Sequence, residues 1–580
     1  MFCVASKAAN DLCCWVMMLR NAYGGRYLLA VICYNHVLKG FVLMYAYTSL
    51  DFVLRSFHVG GPQMQVYKSV ALLPWVLKPL LGIISDSLPI CGYRKNPYIV
   101  AATFIGMPSF LLVGLCGQAL GLEATVAAFF GMSVQISACD LLADAATAER
   151  LRQVPGQGPA MMAFVSGGTT VADIVATATV GSVLQRLGPR GPALLCSVPS
   201  GLMLLPALTN CLGERRRSQE ETRKMRSSLS MQVEVLMLVA VVAVGSLTLV
   251  IACATQLNLF TKLMTVGGVA AGVVGAFTAL LNPTIGLMNA FFFLQSSSAI
   301  SVEGGSFYFF TDDPTSFPLG PHFSVWFYTT GLGLAGNACG LLGLWAYGRY
   351  MTRWRYRSIF ALSNTLWCIV SIVNALVFTR RNLQLGIPDH TFVLGGTVLQ
   401  NIFERWTYVP GGVLLSQLCP QGMEATMFAL LAGCHNLGRS VASYLGSFML
   451  TYLQVSPSGL PHEELQFTRL WQAAACQALA PLLTLWLLPR MIPDAVQTDR
   501  ILGPDSGAAV SGSPLSQLGA ALTRGGGMRR RICTTWGLFQ RAQEASVQEG
   551  GTGVAYGATR SGEGSSDTGG SGAASVKAEA

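Results

Sequence analysis

Seven long stretches of this chain contain no Asp, Glu, Lys or Arg, and this feature restricts the possible folds more than any other. The uncharged stretches are residues 96–122, 191–213, 235–261, 263–302, 314–348, 358–379 and 470–489. About 20 helical residues cross the ~30 Å hydrocarbon core of a bilayer, and each stretch reaches that length. The sequence therefore predicts an all-α membrane protein that crosses the bilayer many times.

The composition indicates the same class of protein. Only 11% of the 580 residues are charged and the mean hydropathy is +0.49, whereas soluble domains carry about 25% charged residues. This excludes a soluble enzyme, a nucleic-acid-binding domain and a single-pass receptor, and a β-barrel would instead show alternating segments of about 10 residues. The net charge of +10 does not indicate a nucleic-acid partner, because the basic residues lie in short runs beside apolar segments.

The apolar segments group as six spans, a further pair and six more, which gives 12 core helices and 12–14 spans in all. The predicted regions are a cytosolic N-terminal segment (1–27), a six-helix bundle (28–212), a basic cytosolic loop (213–232), an extra helix pair (233–283), a second six-helix bundle (284–490) and a disordered cytosolic tail (491–580). Lys and Arg outside the spans are concentrated on the side that carries the N-terminus, which places that side in the cytosol.

A motif at the end of the second span recurs in the second half of the chain. In the first half, Gly82 and Asp86 precede Arg94. In the second half, Gly343 and Arg355 are separated by the same number of residues as Gly82 and Arg94. The pattern resembles the loop signature of the major facilitator superfamily, whose fold is two six-helix bundles with a substrate site between them. We expect a clamp between the bundles at the cytosolic face, formed by Gly82, Asp86, Arg94, Lys95, Glu149 and Arg150.

Charged side chains inside the predicted spans are the main candidates for function. Each costs about 2.5–3.5 kcal/mol to insert at the centre of a membrane helix, so such residues usually have a role. The candidates for substrate binding or proton coupling are Lys39, Lys78, Asp140, Asp144, Asp173, Glu404, Arg405 and Arg439. Asp140 and Asp144 are one helical turn apart and share a face. A structural alternative exists for Lys68 and Lys78, whose long side chains can extend to the membrane surface.

The chain shows no recognisable catalytic or metal-binding motif. It lacks a Gly-x4-Gly-Lys-Ser/Thr phosphate-binding loop and an HExxH helix. Its 16 cysteines lie mostly singly within apolar segments and form no CxxC pair. We therefore predict that the protein is not an enzyme and has no cofactor, metal ion or catalytic residue. The same observations argue against an ATP-driven pump.

Two longer strings resemble the folate–biopterin transporter family. The first is Pro74-Trp-Val-Leu-Lys78-Pro-Leu-Leu-Gly82-Ile-Ile-Ser-Asp86, which continues to Tyr98, and the second begins as Cys419-Pro-Gln-Gly-Met-Glu424. The resemblance covers about residues 26–490. The chain departs from the family pattern at Asn96-Pro97 and between the acidic residues at 141–143, and the second departure leaves the identity of the substrate open.

The resemblance implies uptake of a pteridine such as folate or biopterin, by proton symport with alternating access. A pterin ring presents two parallel N–H donors that suit a carboxylate, and folate adds two carboxylates that require cations. Candidate carboxylates are Asp140, Asp144 and Asp173, candidate counter-ions are Lys39, Lys78 and Arg439, and Trp75 and Trp406 are candidates for stacking on the ring. The expected partners are a small pteridine, protons and the lipid bilayer.

Two other functions stay open from the sequence. Some members of the family are associated with other solutes, including S-adenosylmethionine, so a transporter of another organic solute is the main alternative. A membrane receptor that binds a solute without moving it is the second. No long Ser/Arg-rich transit segment precedes the first span, which favours the plasma membrane. The sequence does not specify the oligomeric state.

Overall fold

The computed structural model describes residues 2–230, 232–255, 257–418, 424–497, 499 and 513–515. Within these ranges the chain folds into helices joined by loops, and no β-strand occurs. Ten of the described helices are long and apolar enough to cross a membrane. The first five residues of the second family-like string, 419–423, and most of the predicted tail lie outside the described residues.

The first half of the chain is a series of seven described helices, and a short polar helix and an apolar pair come after it. The helices of the first half are α1 (Phe2–Tyr23), α2 (Gly25–Arg55), α3 (61–87), α4 (Asn96–Cys116), α5 (Leu122–Gln153), α6 (Gly158–Leu187) and α7 (Gly191–Leu208). The polar helix is α8 (Gln219–Ser230), and the apolar pair is α9 (Val233–Ala254) and α10 (Leu259–Leu280).

The second half continues with seven further helices. They are α11 (Pro283–Ser298), α12 (Glu303–Thr311), α13 (327–351), α14 (Tyr356–Thr379), α15 (Asp389–Gln417), α16 (Glu424–Tyr452) and α17 (Glu464–Met491). α11 and α12 are separated by only a few residues and lie within one apolar span.

Helix α3 is broken twice, and proline explains both breaks. It consists of the pieces Gly61–Ala71, Leu73–Val76 and Lys78–Ser87, and Pro74 and Pro79 each stand in the first turn of a new piece. Proline has no backbone N–H, and its ring clashes with the carbonyl one turn earlier, so a regular helix cannot continue through it. Each break leaves a carbonyl group that needs another donor.

The apolar pair α9 and α10 packs as part of the helix assembly. α9 contacts α10 and α3, α10 contacts α11, and both helices of the pair contact α16. Leu238, Phe277 and Phe291 are fully buried in the cluster that these helices form. The predicted extra central pair is therefore present as two helices of about the expected length.

Large apolar side chains cover the outer surface of the helices. Phe104 is 65% exposed, Val198 67%, Leu208 70% and Trp486 70%. Apolar surface this extensive is typical of a protein that faces lipid. The predicted fold class, an all-α membrane protein with many spans and an extra central pair, is confirmed, whereas the predicted region boundaries stay predictions.

Candidate functional site

Four of the predicted residues meet where α2, α3 and α5 come together. Nζ of Lys39 lies 2.5 Å from Oδ1 of Asp140, and Nζ of Lys78 donates to Oδ2 of the same carboxylate. Oδ2 of Asp144 lies 3.8 Å from Nζ of Lys39. Lys39, Lys78, Asp140 and Asp144 are called the central charge cluster below.

The two carboxylates of the central charge cluster have different surroundings. The side chain of Asp140 is 4% exposed and is bound by both amines. The side chain of Asp144 is 51% exposed, and it accepts a hydrogen bond from Nδ2 of Asn35 at 3.3 Å. Asp140 therefore holds the two lysines in place, while Asp144 has acceptor capacity for a further donor or a proton.

The local backbone explains how the two lysines are placed. Lys39 lies in a π-helical stretch, Ile32–Val42, and such wide turns occur frequently at functional sites. At the next residue, Gly40, a Cβ atom would lie 2.8 Å from the carbonyl oxygen of Thr169, so the glycine allows α2 to pack closely on α6. Lys78 is the first residue of the third piece of α3.

The second break in α3 brings the second half of the chain to the central charge cluster. The carbonyl of Trp75 would pair with the N–H of residue 79 in a regular helix, but Pro79 has none. Nδ2 of Asn436, in α16, donates to this carbonyl at 3.2 Å instead. Nζ of Lys78 lies 3.9 Å from the centroid of the Trp75 ring. The central charge cluster therefore lies beside a contact between the two halves.

A second group of polar residues forms where α6, α13 and α15 approach one another. Nδ2 of Asn337 donates to Oδ2 of Asp173 at 3.5 Å, and Arg405 attracts the same carboxylate electrostatically. A Cβ atom at Gly340 would lie 3.2 Å from Nε of Arg405, so this glycine leaves room for the arginine side chain. The structure thus brings Asp173 and Arg405 to the same region, from opposite halves.

Glu404 and Arg439 do not join either group. Glu404 is exposed although Arg405, the next residue, faces inward. Arg439 is also exposed, and it forms no ion pair with another residue in the described ranges. Its charge acts on Glu303 and His435 without direct pairing. Roles for Glu404 and Arg439 in binding or coupling stay predictions.

The predicted clamp residues form an ion-pair network at one end of the helices. Nη1 of Arg94 lies 2.6 Å from Asp86 and Nη2 lies 3.0 Å from Glu149, which also binds Nζ of Lys95 at 2.5 Å. The carboxylate of Glu214 accepts the backbone N–H groups of residues 94–96 at 2.5 to 3.1 Å. These contacts join helices of the first half and the loop after it. A role as a clamp between the two bundles stays a prediction.

Gly82 and Arg150 lie at the edge of this network. A Cβ atom at Gly82 would make an ordinary contact of 3.7 Å with Leu141, so this position does not require glycine for space. Nη2 of Arg150 donates to the carbonyl of Leu212 at 3.3 Å, and its guanidinium lies 5.5 Å from the ring centroid of Tyr27. Arg150 thus ties α5 to the loop after α7 without a carboxylate partner of its own among these contacts.

In the second half, the arginine of the repeated motif pairs with an acidic residue that lies outside the motif. Nη1 of Arg355 lies 2.5 Å from Oδ2 of Asp494, just after α17. The position that matches Asp86 is Tyr347, whose hydroxyl donates to Gln497. The repeat therefore preserves an arginine at the helix end, while its acid comes from a different part of the chain.

The opposite end of the helices contains ion pairs that the sequence did not predict. Nζ of Lys68, in α3, lies 3.0 Å from Asp51 of α2 and 2.9 Å from Glu303 of α12. Nη2 of Arg55 lies 3.1 Å from Oδ1 of Asp312, which follows α12. Lys68 does not extend to a surface, because its side chain is 8% exposed. This end of the assembly is called the Arg55 end below.

Two glycines allow the backbones of the two halves to touch at the Arg55 end. A Cβ atom at Gly304 would lie 1.9 Å from the carbonyl oxygen of Gly61, and one at Gly61 would lie 2.8 Å from that of Gly304. The N–H of Gly61 donates to the carbonyl of Pro457 at 2.8 Å. The hydroxyl of Tyr308 donates to the carbonyl of Val59 at 2.6 Å. The structure is therefore closed at the Arg55 end.

Solved structures of membrane transporters have a similar helix arrangement. A crystal structure of a POT family transporter in complex with 5-aminolevulinic acid aligns with a TM-score of 0.56 at 14% sequence identity, over 80% of this chain and 96% of that chain. An auto-inhibited POT family peptide transporter aligns with a TM-score of 0.54 at 12% identity, over 84% and 99%. These likenesses show the fold alone, which is of the major-facilitator type.

Sequence comparison then gives the family. The model of the BT1 family matches residues 39–505, and the chain belongs to this family. It is 24% identical over 504 residues to the probable folate-biopterin transporter 6 of Arabidopsis thaliana, which covers 85% of this chain and 87% of the relative. It is 25% identical over 437 residues to the folate-biopterin transporter of Synechocystis sp., covering 74% and 76%. The predicted family is confirmed, and the protein is a multi-pass transporter and not an enzyme.

Proposed function

We propose that this protein imports a pteridine (folate, biopterin or a related compound) by proton symport with alternating access. The proposal is supported by membership of the BT1 family and by relatives named as folate-biopterin transporters. The observation that carries it is the central charge cluster, in which the half-exposed Asp144 stands beside Lys39 near the contact between the two halves.

Asp144 is the carboxylate best placed to bind a pterin ring. A pterin presents N3–H and a 2-amino group side by side, and one carboxylate can accept both. Asp140 is already bound by two lysines, so its role is to hold them. Trp75 has Lys78 over one face of its ring, and we assign stacking of the pterin to its other face. Trp406 instead donates its Nε1–H to the carbonyl of Gly343 and packs in a separate cluster.

The same side chain can also carry the proton. This is possible because its protonated form still accepts one N–H through its carbonyl oxygen and donates its O–H to an acceptor on the ring, so that proton and substrate are bound together as symport requires. Asp144 lies 3.8 Å from Lys39, whereas Asp140 lies at 2.5 Å. Protonation of Asp144 therefore leaves the shorter ion pair intact, and the remaining cluster of two lysines and Asp140 becomes more positive. A more positive site favours the carboxylates of folate. Arg439, exposed and without an ion pair among the described residues, is the further cation that we assign to them.

Asp144→Asn is expected to remove proton coupling while the ion pairs of Asp140 with the two lysines stay in place. Asparagine cannot take up a proton, so uptake should lose its acceleration at acidic external pH. It also cannot accept two N–H groups as a carboxylate does, so the apparent affinity should fall by roughly tenfold or more. Initial rates of uptake at acidic and neutral external pH check this. An unchanged pH dependence would remove Asp144 from the coupling mechanism.

Closure of the Arg55 end provides one of the two states that alternating access requires. The Gly61–Gly304 contact and the Lys68–Glu303 ion pair join the first half to the second at that end. Opening there would separate these pairs, and the substrate site would then face the opposite side of the membrane. Because interfaces of this kind have two discrete packings, a small change in charge can shift the balance between them.

Asp312 makes the Arg55 end sensitive to acid. Burial raises the pKa of Asp312 to about 7, although Arg55 acts to lower it. A group whose pKa is raised in the closed form favours that form at low pH, and the effect is lost as the pH rises through about 7. The other ionisable groups that act on this carboxyl are Asp313, Glu463 and His322. Arg55 also keeps hydrogen bonds to Thr311 that do not depend on the charge of Asp312.

We therefore expect acid to close the Arg55 end, and Asp312→Asn to keep it closed at every pH. A cysteine introduced by Gln65→Cys, at a residue that is 2% exposed between the two halves, reports opening through its reaction with a polar thiol reagent. Its reactivity, corrected for the native cysteines, should fall as the pH falls. In the Asp312→Asn background it should stay low. Reactivity that does not change with pH in the parent protein would contradict this assignment.

The substrate is tested by uptake of radiolabelled folate and biopterin in a cell that cannot import pteridines. Surface biotinylation establishes whether the protein reaches the plasma membrane, which is the location that we propose. Saturable uptake that increases at acidic external pH and is abolished by a protonophore is expected. Uptake of S-adenosylmethionine that pteridines do not inhibit would replace the proposed substrate, and binding of a pteridine without flux would indicate a receptor.

A further inference from the structure

Helix α8, the loop before it and the turn after α3 line an open cavity rich in arginine. The cavity has a volume of about 840 Å³, and its charged lining includes Arg216, Arg217, Arg223 and Arg226. Cys91 and Gly92, in the turn after α3, also line it. None of these residues belongs to the central charge cluster or to the Arg55 end, so the proposed transport mechanism does not account for them.

The positive charge of this arginine cavity is largely uncompensated. Its lining carboxylate, Glu220, is bound by Nζ of Lys224 at 2.8 Å. Arg216, Arg217 and Arg223 form no ion pair with another residue in the ranges that the structure describes. Three guanidinium groups around one cavity repel one another, and an arrangement of this kind is stabilised by an anion.

The cavity is built into the fold rather than formed by a loose loop. The N–H of Arg217 donates to the carbonyl of Gly92 at 2.9 Å, and Nε of Arg226 donates to the carbonyl of Ser87 at 2.6 Å. Gly92 has a φ of +85°, and a Cβ atom there would lie 2.7 Å from Cγ of Arg216. The glycine therefore provides both the turn and the space that the Arg216 side chain occupies.

The surroundings of the arginine cavity place it at the edge of the bilayer. Leu88 and Ile90, in the same turn as Cys91, are 52% and 45% exposed. Val233, the first residue of the apolar helix α9, follows α8 after a short gap. Exposed apolar side chains next to clustered arginines match the chemistry of a membrane interface, where the anionic groups are lipid phosphates.

We propose that the arginine cavity is a binding site for a multiply phosphorylated anion, of the kind that a phosphorylated lipid headgroup presents. Arginine binds phosphate oxygens through paired N–H donors and retains its charge under all physiological conditions. The site is separate from the transport site, and it lies on the loop that connects the two halves. Occupation would hold α8 against the end of α3, which α8 already contacts.

The test uses the purified full-length protein in phosphatidylcholine nanodiscs. Binding of a short-chain phosphatidylinositol bisphosphate is measured directly, and inositol trisphosphate and inorganic phosphate are measured in parallel. The parent protein should bind the phosphorylated lipid, and Arg216→Gln/Arg223→Gln should weaken binding by at least about tenfold, because two charge-assisted hydrogen-bonding groups are lost. The melting temperature without ligand shows whether the variant is folded, and Arg223→Gln alone is the milder substitution if it is not.

The matched control is Arg349→Gln/Arg353→Gln, which removes the same charge from exposed arginines elsewhere on the chain. This variant should bind as the parent does. Equal weakening in both double variants would overturn the proposal, because general charge and not the cavity would then explain binding. Failure of the parent to bind any of the three probes would also overturn it. Equal affinity for inositol trisphosphate and the lipid would support the site with a soluble anion as its source.

Discussion

Asp140→Asn is expected to abolish uptake and to destabilise the folded protein. The substitution leaves the amines of Lys39 and Lys78 without the buried carboxylate that binds both. Removing one partner of a buried ion pair costs about 3–5 kcal/mol, because the remaining charge is buried without compensation. The measurements are the melting temperature in detergent and the initial rate of uptake per molecule at the surface.

A double variant separates the loss of stability from the loss of function. In Asp140→Asn/Lys78→Met one unpaired amine is removed, and Lys39 can turn to Asp144, which lies 3.8 Å away. Stability should therefore recover in part, whereas uptake should stay absent. Asp140→Asn with normal stability and normal uptake would show that the central charge cluster is required for neither folding nor transport.

Gly304→Ala is expected to have the second large effect on uptake, and it acts through a steric clash and not through charge. The new methyl group would lie 1.9 Å from the carbonyl oxygen of Gly61, so the two backbones must separate at the Arg55 end. Uptake should be lost, and the cysteine of Gln65→Cys should become reactive at every pH. The substitution should not destabilise helix α12 itself, because alanine is favoured over glycine in a helix by roughly 1 kcal/mol.

The matched control is Gly268→Ala in α10, where an added Cβ atom would meet nothing within 4 Å. This variant should transport as the parent protein does and show the parent reactivity at Gln65→Cys. If Gly304→Ala supports normal uptake, then the contact with Gly61 is not part of the transport cycle, and the account of closure at the Arg55 end is wrong.

Much of the fold could be predicted because it depends on local properties of the sequence. The charge-free segments mark helices that face lipid, and α9 and α10 appear where the extra pair was expected. The spacing of Asp140 and Asp144 places both on one face of α5. The pairing of Asp86 with Arg94 also follows from sequence, since the residues flank one short loop.

The convergence of residues from different helices could not be predicted in this way. Nothing in the spacing of Lys39 and Lys78 shows that both reach Asp140, because this depends on a π-helical stretch and on two proline breaks. Lys68 can extend to a membrane surface by its length alone, yet it pairs with Asp51 and Glu303 across the two halves. The sequence feature that could have indicated this network is that all three residues are charged and lie within apolar segments.

The central claim is that movement of a pteridine is coupled to movement of protons, and reconstituted vesicles test it most directly. The purified protein is placed in liposomes that contain a pH-sensitive dye, and folate or biopterin is added outside without an imposed pH gradient. The account predicts that the substrate drives acidification of the interior, and that Asp144→Asn removes the proton signal. Uptake of the pteridine by the parent protein without any proton movement would contradict it.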